Sequence, residues 1–142
     1  MNVKQVTTKE QLEDAYKVRR TVFVHEQQVP EEEEIDQYED VAKHIVLYDH
    51  EEPVGAARVR ILDGIGKLER ICVLLSHRKK GAGKLLVNKL EEIASSEGIQ
   101  KFKLNAQTQA IPFYERLGYK IVSDVFMDAG IPHVTMIKEI NG

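Results

Sequence analysis

Residues 72–86, Cys72-Val-Leu-Leu-Ser-His-Arg-Lys-Lys-Gly-Ala-Gly-Lys-Leu-Leu86, run from an apolar strand through a short basic turn with two glycines into the start of an amphipathic helix. The first N–H groups of a helix have no intrahelical partner, and the helix dipole makes that end positive. Glycine lets an anion approach the backbone closely. Arg78-Lys79-Lys80-Gly81-Ala82-Gly83-Lys84 therefore reads as a cradle for a pyrophosphate. Two nucleotide loops can be tested against it. A dinucleotide fingerprint needs a third glycine three residues after the second, where this chain has Leu86. A P-loop needs a glycine five residues before Gly83 and Ser or Thr after Lys84, and those positions hold Arg78 and Leu85. Both loops fail at defining residues.

Outward from the turn, the chain alternates strands and helices. Asn2 to Val6 reads as a strand, and Thr8 with Gln11 as a capping box opening a helix to about Glu26. The apolar stripe of that helix is Leu12, Ala15, Tyr16, the stem of Arg19, Val22 and Phe23. Residues 28–40, with the run Glu31 to Glu34, read as a loop or short helix. Strands follow at 42–48, 53–61 and 67–75, joined by tight turns as a meander. A helix over 81–97 carries Leu85, Leu86, Leu90, Ile93 and Ala94 inward and ends at Gly98. A strand at 101–105, a short helix at 110–117 and strands at 119–124 and 133–140 complete the chain. The strand–helix–strand unit from Lys67 to Asn105 requires a crossover, so its two strands should be parallel. The expected fold class is mixed α/β, a single domain over 1–142 with helices on both faces of a mixed sheet.

Composition narrows the function classes. The chain has 142 residues, 20 Lys and Arg against 23 Asp and Glu, and a net charge of −3. No global field favours nucleic acid or an anionic membrane. The single cysteine, Cys72, excludes an internal disulfide and fits a reducing compartment. Met1-Asn-Val-Lys-Gln5 opens no apolar signal-type stretch and no segment is apolar over a membrane's width, so a cytoplasmic location is expected. The five histidines lack metal-ligand spacing, and no metal is expected.

What survives the loop tests is Arg-x-x-Gly-x-Gly on a strand-to-helix turn. This resembles the acetyl-CoA signature of the GNAT superfamily of N-acetyltransferases, with Arg78, Gly81 and Gly83 at its defining positions. Asn105-Ala-Gln-Thr-Gln-Ala-Ile-Pro-Phe-Tyr-Glu-Arg-Leu-Gly-Tyr119 resembles the family's later strand–helix segment ending in Phe-Tyr-x-x-Leu-Gly-Tyr. Arg19-Arg-Thr-Val-Phe-Val-His-Glu-Gln27, Leu68-Glu-Arg-Ile-Cys-Val73 and Gly130-Ile-Pro-His133 resemble the small bacterial ElaA/YjcF-type branch. The resemblance spans nearly the whole chain. It implies a sheet of six to seven strands with an antiparallel meander and a parallel pair that splays apart.

It also implies a direct transfer from acetyl-CoA to a primary amine. The amides of Lys79 to Lys84 would hold the pyrophosphate, with Arg78, Lys79 and Lys80 adding charge. Ile71, Cys72 and Val73 would pair with the pantetheine like an added strand, and the Val73 N–H would polarise the thioester carbonyl. Asn105, Ala110 and Phe113 would border the same cofactor, with Phe113 turned toward the core. Cys72 reads as a buried small hydrophobe. The hydroxyl of Tyr114 would protonate the leaving thiolate, since a phenol stays protonated at neutral pH.

An ammonium acceptor must lose a proton before attack, and the base is left open among Glu69, Glu26, His25, His44, His133 and bulk water. Glu69 is the tentative choice, although simple alternation puts it opposite Cys72 unless a bulge intervenes. Phe23, Glu26, Asp36, His44 and His133 are the acceptor-side candidates. The acidic run Glu31 to Glu34 reads mainly as a solvated loop, with Asp36 and Asp40 the better anchored carboxylates. Two other function classes stay in view: a CoA-binding sensor without turnover, and nucleic-acid binding through residues 77–80, which the net acidity opposes. The C-terminal strand could pair with a second copy of the chain.

Overall fold

Hydrogen bonding across the first half of the chain follows the meander in a computed structural model that describes residues 1–140. β1 (Asn2–Gln5), β2 (Lys43–Asp49), β3 (Glu52–Leu62) and β4 (Ile65–Val73) pair antiparallel in that order. α3 (Ala82–Ser95) then crosses over to β5 (Lys101–Gln107), which pairs parallel with β4. β8 (Ile131–Glu139) lies antiparallel on β5. Its other edge takes two short strands, β6 (Lys120–Ile121) and β7 (Phe126–Asp128). The described residues thus form eight strands in seven sheet positions: β6 covers only two residues of the strand expected at 119–124, and β7 forms beyond it on the same edge of β8. β8 lies inside the sheet, not at its edge. No helix among the described residues is long and apolar enough to cross a membrane.

The two faces have different chemistry. α3 places Leu86, Val87, Leu90 and Ala94 against Ile45, Leu47, Leu68, Phe102 and Leu104, in an ordinary apolar core. Leu85, expected inside, is 41% exposed, and Val87 takes the inward position instead. On the opposite face α1 (Lys9–Arg19), opened by the Thr8–Gln11 capping box, packs Ala15 and Val18 on Val46, Ala56 and Cys72. Beyond Arg19 the helix does not stay α. It widens into a π-helical segment, Arg20–Glu26, closed by the Gln27 N–H on the Val22 carbonyl at 3.0 Å. Apolar spacing cannot distinguish such a turn from α-helix, because the inward residues are the same over so few turns.

Toward the open end of this face, buried charge replaces apolar packing. Arg19 and Arg58 are each 1% exposed. Arg19 donates to Glu34 at 2.6 Å and to both oxygens of Glu39 at 2.9 and 2.6 Å. Arg58 forms a two-pronged pair with Asp36 at 2.8 and 2.7 Å and a third bond to Glu69 at 3.0 Å. Arg60 completes the shell of Glu69 at 2.7 and 3.0 Å. Arg19 is therefore an ion-pair hub, not the snorkelling stem read from the helix stripe. Glu34 belongs to the interior and not to a solvated loop: α2 (Glu31–Glu34) folds it under, at 1% exposure.

Burial pushes the Glu69 carboxyl up, but the hydrogen bonds of Arg60 and the charges of Arg58 and Lys67 outweigh it and bring it down to about 2. Burial likewise raises Asp36 and Glu39, and their arginine partners hold both below the ordinary carboxylate range. Depressed folded values mean stability that is complete above the unfolded carboxylate range, ~4 to 4.5. That stability should be lost as pH falls through the folded values, near 2 for Glu69. Urea unfolding at stepped pH should show this acid loss. Arg58→Leu, which removes one buried cationic partner from Asp36, Glu39 and Glu69 together, should cost about 3–5 kcal/mol at neutral pH and flatten the acid dependence.

Candidate active site

The site begins where two strands stop pairing. β4 and β5 are in register only from Ile65↔Lys101 to Leu68↔Leu104. β4 then continues to Val73 and β5 to Gln107 with no ladder between them. A bulge bends β4 at this point: the register with β3 passes from Arg58↔Glu69 to Ala56↔Cys72, and Arg70 takes a positive φ of 57°. The bulge brings Glu69 and Cys72 to the same face of the sheet, resolving the ambiguity that alternation left. A cleft of about 890 Å³ occupies the opening.

The end of β4 turns backbone polar groups into that cleft. The Leu74 N–H bonds the Val54 carbonyl at 2.8 Å, so by alternation the Val73 N–H and carbonyl face away from β3. Ile71, Cys72 and Val73 all line the cleft. Burial pushes the Cys72 thiol up to about 12, and the thiol donates to the Ala56 carbonyl at 3.7 Å. Asn105 and Ala110 line the facing wall, with the Asn105 side chain accepting from Thr135 at 2.9 Å.

At one end lies the basic turn. Gly81 precedes α3 with φ +78°, and Lys79 has φ +65°. Among the described residues, no hydrogen bond engages the amides of residues 79–84. Arg78, Lys79 and Gly83 line the cleft, whereas Lys80, Gly81, Ala82 and Lys84 lie outside its wall and Ala82 packs into the core. Gly83 has a second reason to be glycine. A Cβ there would stand 3.0 Å from the ring tip of Phe113, so the aromatic helix packs directly onto the first turn of α3.

That helix, α4 (Ile111–Arg116), presents Tyr114 to the middle of the cleft. Tyr114 is 8% exposed and its ring meets Phe113 and Tyr119 edge-on, at 4.9 and 6.0 Å between centroids. No hydrogen bond engages its hydroxyl among the described residues, and burial holds its proton affinity above the ordinary phenol value. The group is a neutral donor aimed at an open space.

The acceptor-side candidates divide. Phe23, Glu26, Asp36, Glu69 and His133 line the cleft; His44, His25 and Asp40 do not. His44 is buried beside the ion-pair lattice with its ring on the Glu39 carbonyl at 2.9 Å. Asp36 faces Arg58, and Glu26 faces Arg78, so neither carboxylate is unpaired. His133 stacks on Phe126, and its Nδ1 contacts the Ile131 carbonyl at 2.7 Å, which makes Nδ1 the protonated nitrogen and leaves the Nε2 lone pair available. Two contacts across the cleft were not legible in the sequence: Glu26 with Arg78, and Gln107 donating to Gln27 at 2.9 Å. The adjacent pair Glu26-Gln27 after the helix was the only signal for either. Among the described residues no cluster of three or more His, Cys, Asp or Glu could hold a metal ion.

A splayed parallel pair, an amide-lined turn and an aromatic helix form one constellation, and comparison with known proteins identifies it. The acetyltransferase (GNAT) domain matches residues 3–140. The uncharacterized N-acetyltransferase YjcF of Bacillus subtilis is 57% identical over 131 residues, 92% of this chain and 94% of that protein. The crystal structure of Escherichia coli ElaA superposes with a TM-score of 0.87 at 26% identity, over 97% of this chain and 99% of ElaA. An aminoglycoside 6′-N-acetyltransferase in complex with coenzyme A shares the fold at 22% identity, with a TM-score of 0.78 over 100% of this chain and 98% of that one. The chain belongs to the GNAT family of acetyltransferases.

Proposed function

We propose that this acetyltransferase moves an acetyl group from acetyl-CoA directly onto a primary amine. The observation that carries this reading is the placement of free backbone groups at two points of one cleft. The turn at 79–84, whose amides are unpartnered among the described residues, reaches the cleft at Lys79 and Gly83, and Val73, whose N–H points away from β3, lines the same cleft as Tyr114. The turn suits the diphosphate, and the opened edge of β4 suits the amides of pantetheine. Coenzyme A in the aminoglycoside acetyltransferase complex supports the same ligand at the level of the fold.

In the reaction, the amine lone pair attacks the thioester carbonyl carbon. The developing oxyanion takes the Val73 N–H. The C–S bond then breaks, and the departing thiolate takes the Tyr114 proton. The acceptor ammonium has lost one proton before its lone pair attacks; the nitrogen, cationic again after attack, gives up a second, which restores the Tyr114 hydroxyl, and the amide is complete. Cys72 takes no part, since its thiol is buried and protonated. Glu69, the tentative base of the sequence reading, is poorly suited: a carboxyl at about 2 has little affinity for a proton. Glu26 is committed to Arg78. His133, which lines the cleft and has no hydrogen bond to its Nε2 among the described residues, is the group we assign to receive the amine proton.

Two measurements test this. With an amine panel assayed by CoA release, Tyr114→Phe should lower kcat by about 10²-fold or more while CoA affinity stays within about twofold. Unchanged kcat would remove Tyr114 from the chemistry, and tight CoA binding with no acceptor turned over would favour a sensor. In the wild type, kcat/KM should stay high well below the amine's own pKa, because the enzyme accepts the ammonium form. In His133→Gln it should keep climbing with the free-amine fraction toward pH ~10. Identical profiles would assign the deprotonation to water.

A further inference from the structure

The first residue of the glycine turn has three of its five N–H donors taken by neighbouring groups of the chain. The Nη1 and Nη2 groups of Arg78 each donate to one oxygen of Glu26, both at 2.7 Å, and Nε donates to the Val73 carbonyl at 2.9 Å. The fork is bidentate, and the hydrogen bonds from Arg78 hold Glu26 below the ordinary carboxylate range. The guanidinium charge is matched by Glu26, so the pair as a whole offers no net charge to a diphosphate. Lys79 beside it lines the cleft without an ion-pair partner among the described residues. Glu26 ends the π-helical segment that walls one side of the cleft, and Val73 ends the strand that forms another.

We propose that Arg78 is a positioning residue and not a pyrophosphate ligand. With Glu26 it forms a crossbeam that sets the width of the cleft and orients the peptide edge of Val73. This inference rests on the coenzyme A reading of the cleft. The geometry explains why the pair spans three elements. The carbonyl that Arg78 holds and the N–H that faces the thioester belong to the same residue and point to the same side. Any shift of the π-helical wall is transmitted through Glu26 and Arg78 to that residue.

The experiment compares coenzyme A with pantetheine, which lacks the diphosphate. Wild type, Glu26→Gln, Arg78→Gln and the double variant are titrated with each, calorimetrically for CoA and by NMR for pantetheine. As a crossbeam, the pair should fail in the same way from either end. Each single variant should weaken both ligands by a similar factor, about three- to tenfold. The double variant should be no worse than either single one. As a phosphate ligand, Arg78 would behave otherwise: Arg78→Gln would weaken CoA alone, and Glu26→Gln would leave CoA unchanged or tighten it. Either result overturns the proposal. Glu26 is 40% exposed, so Glu26→Gln keeps the test valid even if Arg78→Gln fails to fold. A wild type that binds no CoA would overturn the coenzyme reading and this assignment with it.

Discussion

Loss of pairing between β4 and β5 beyond Leu68 and Leu104 is the constraint on which the rest of the molecule depends. A sheet that opens in its middle leaves backbone N–H and carbonyl groups without partners, and those must be satisfied by something else. Here the Val73 carbonyl takes the Arg78 side chain, and its N–H is left to face the cleft. The opened strand must also be held from behind. β3 does this through the bulge, and the buried lattice of Arg58, Arg60 and Glu69 ties β3 to β4 beside the point of divergence. The cleft is thus a planned gap in a hydrogen-bonded sheet, braced by charge on one face and by α3 and its apolar core on the other.

The charge lattice illustrates a general trade. Ion pairs in the interior are seldom more stabilising than apolar packing of the same volume, but removing one partner is costly. Arg19, Arg58, Glu34, Asp36, Glu39 and Glu69 meet their partners with directional bonds. Directionality fixes how α1, α2 and the meander sit against one another at the mouth of the cleft. An apolar cluster would allow sliding there.

The two glycine and aromatic motifs, the meander and the crossover were legible because each has a local signature: turn residues, period-two alternation, a capping box. What the sequence hid has no local signature. Arg58 and Arg60 alternate along β3 and face Glu69 on β4, but charges on a strand ordinarily read as a solvated face. The run Glu31 to Glu34 looked uniform, yet only Glu34 is buried. The π-helical turn kept the inward residues of an α-helix. The contacts of Glu26 with Arg78 and of Gln27 with Gln107 join residues 52 and 80 positions apart. Such pairs exist only once the splay has brought three elements to one opening.

The contact between Gly83 and Phe113 has a consequence for how this molecule can vary. The glycine-turn helix and the aromatic helix meet where a single methyl group would stand 3.0 Å from a ring carbon. A methyl group at 83 requires the Phe113 ring to give way by a few tenths of an ångström, and a smaller residue at 113 removes that contact. The two motifs, thirty residues apart in the chain, are therefore coupled through one side-chain contact. A change of size at either position is felt at the other.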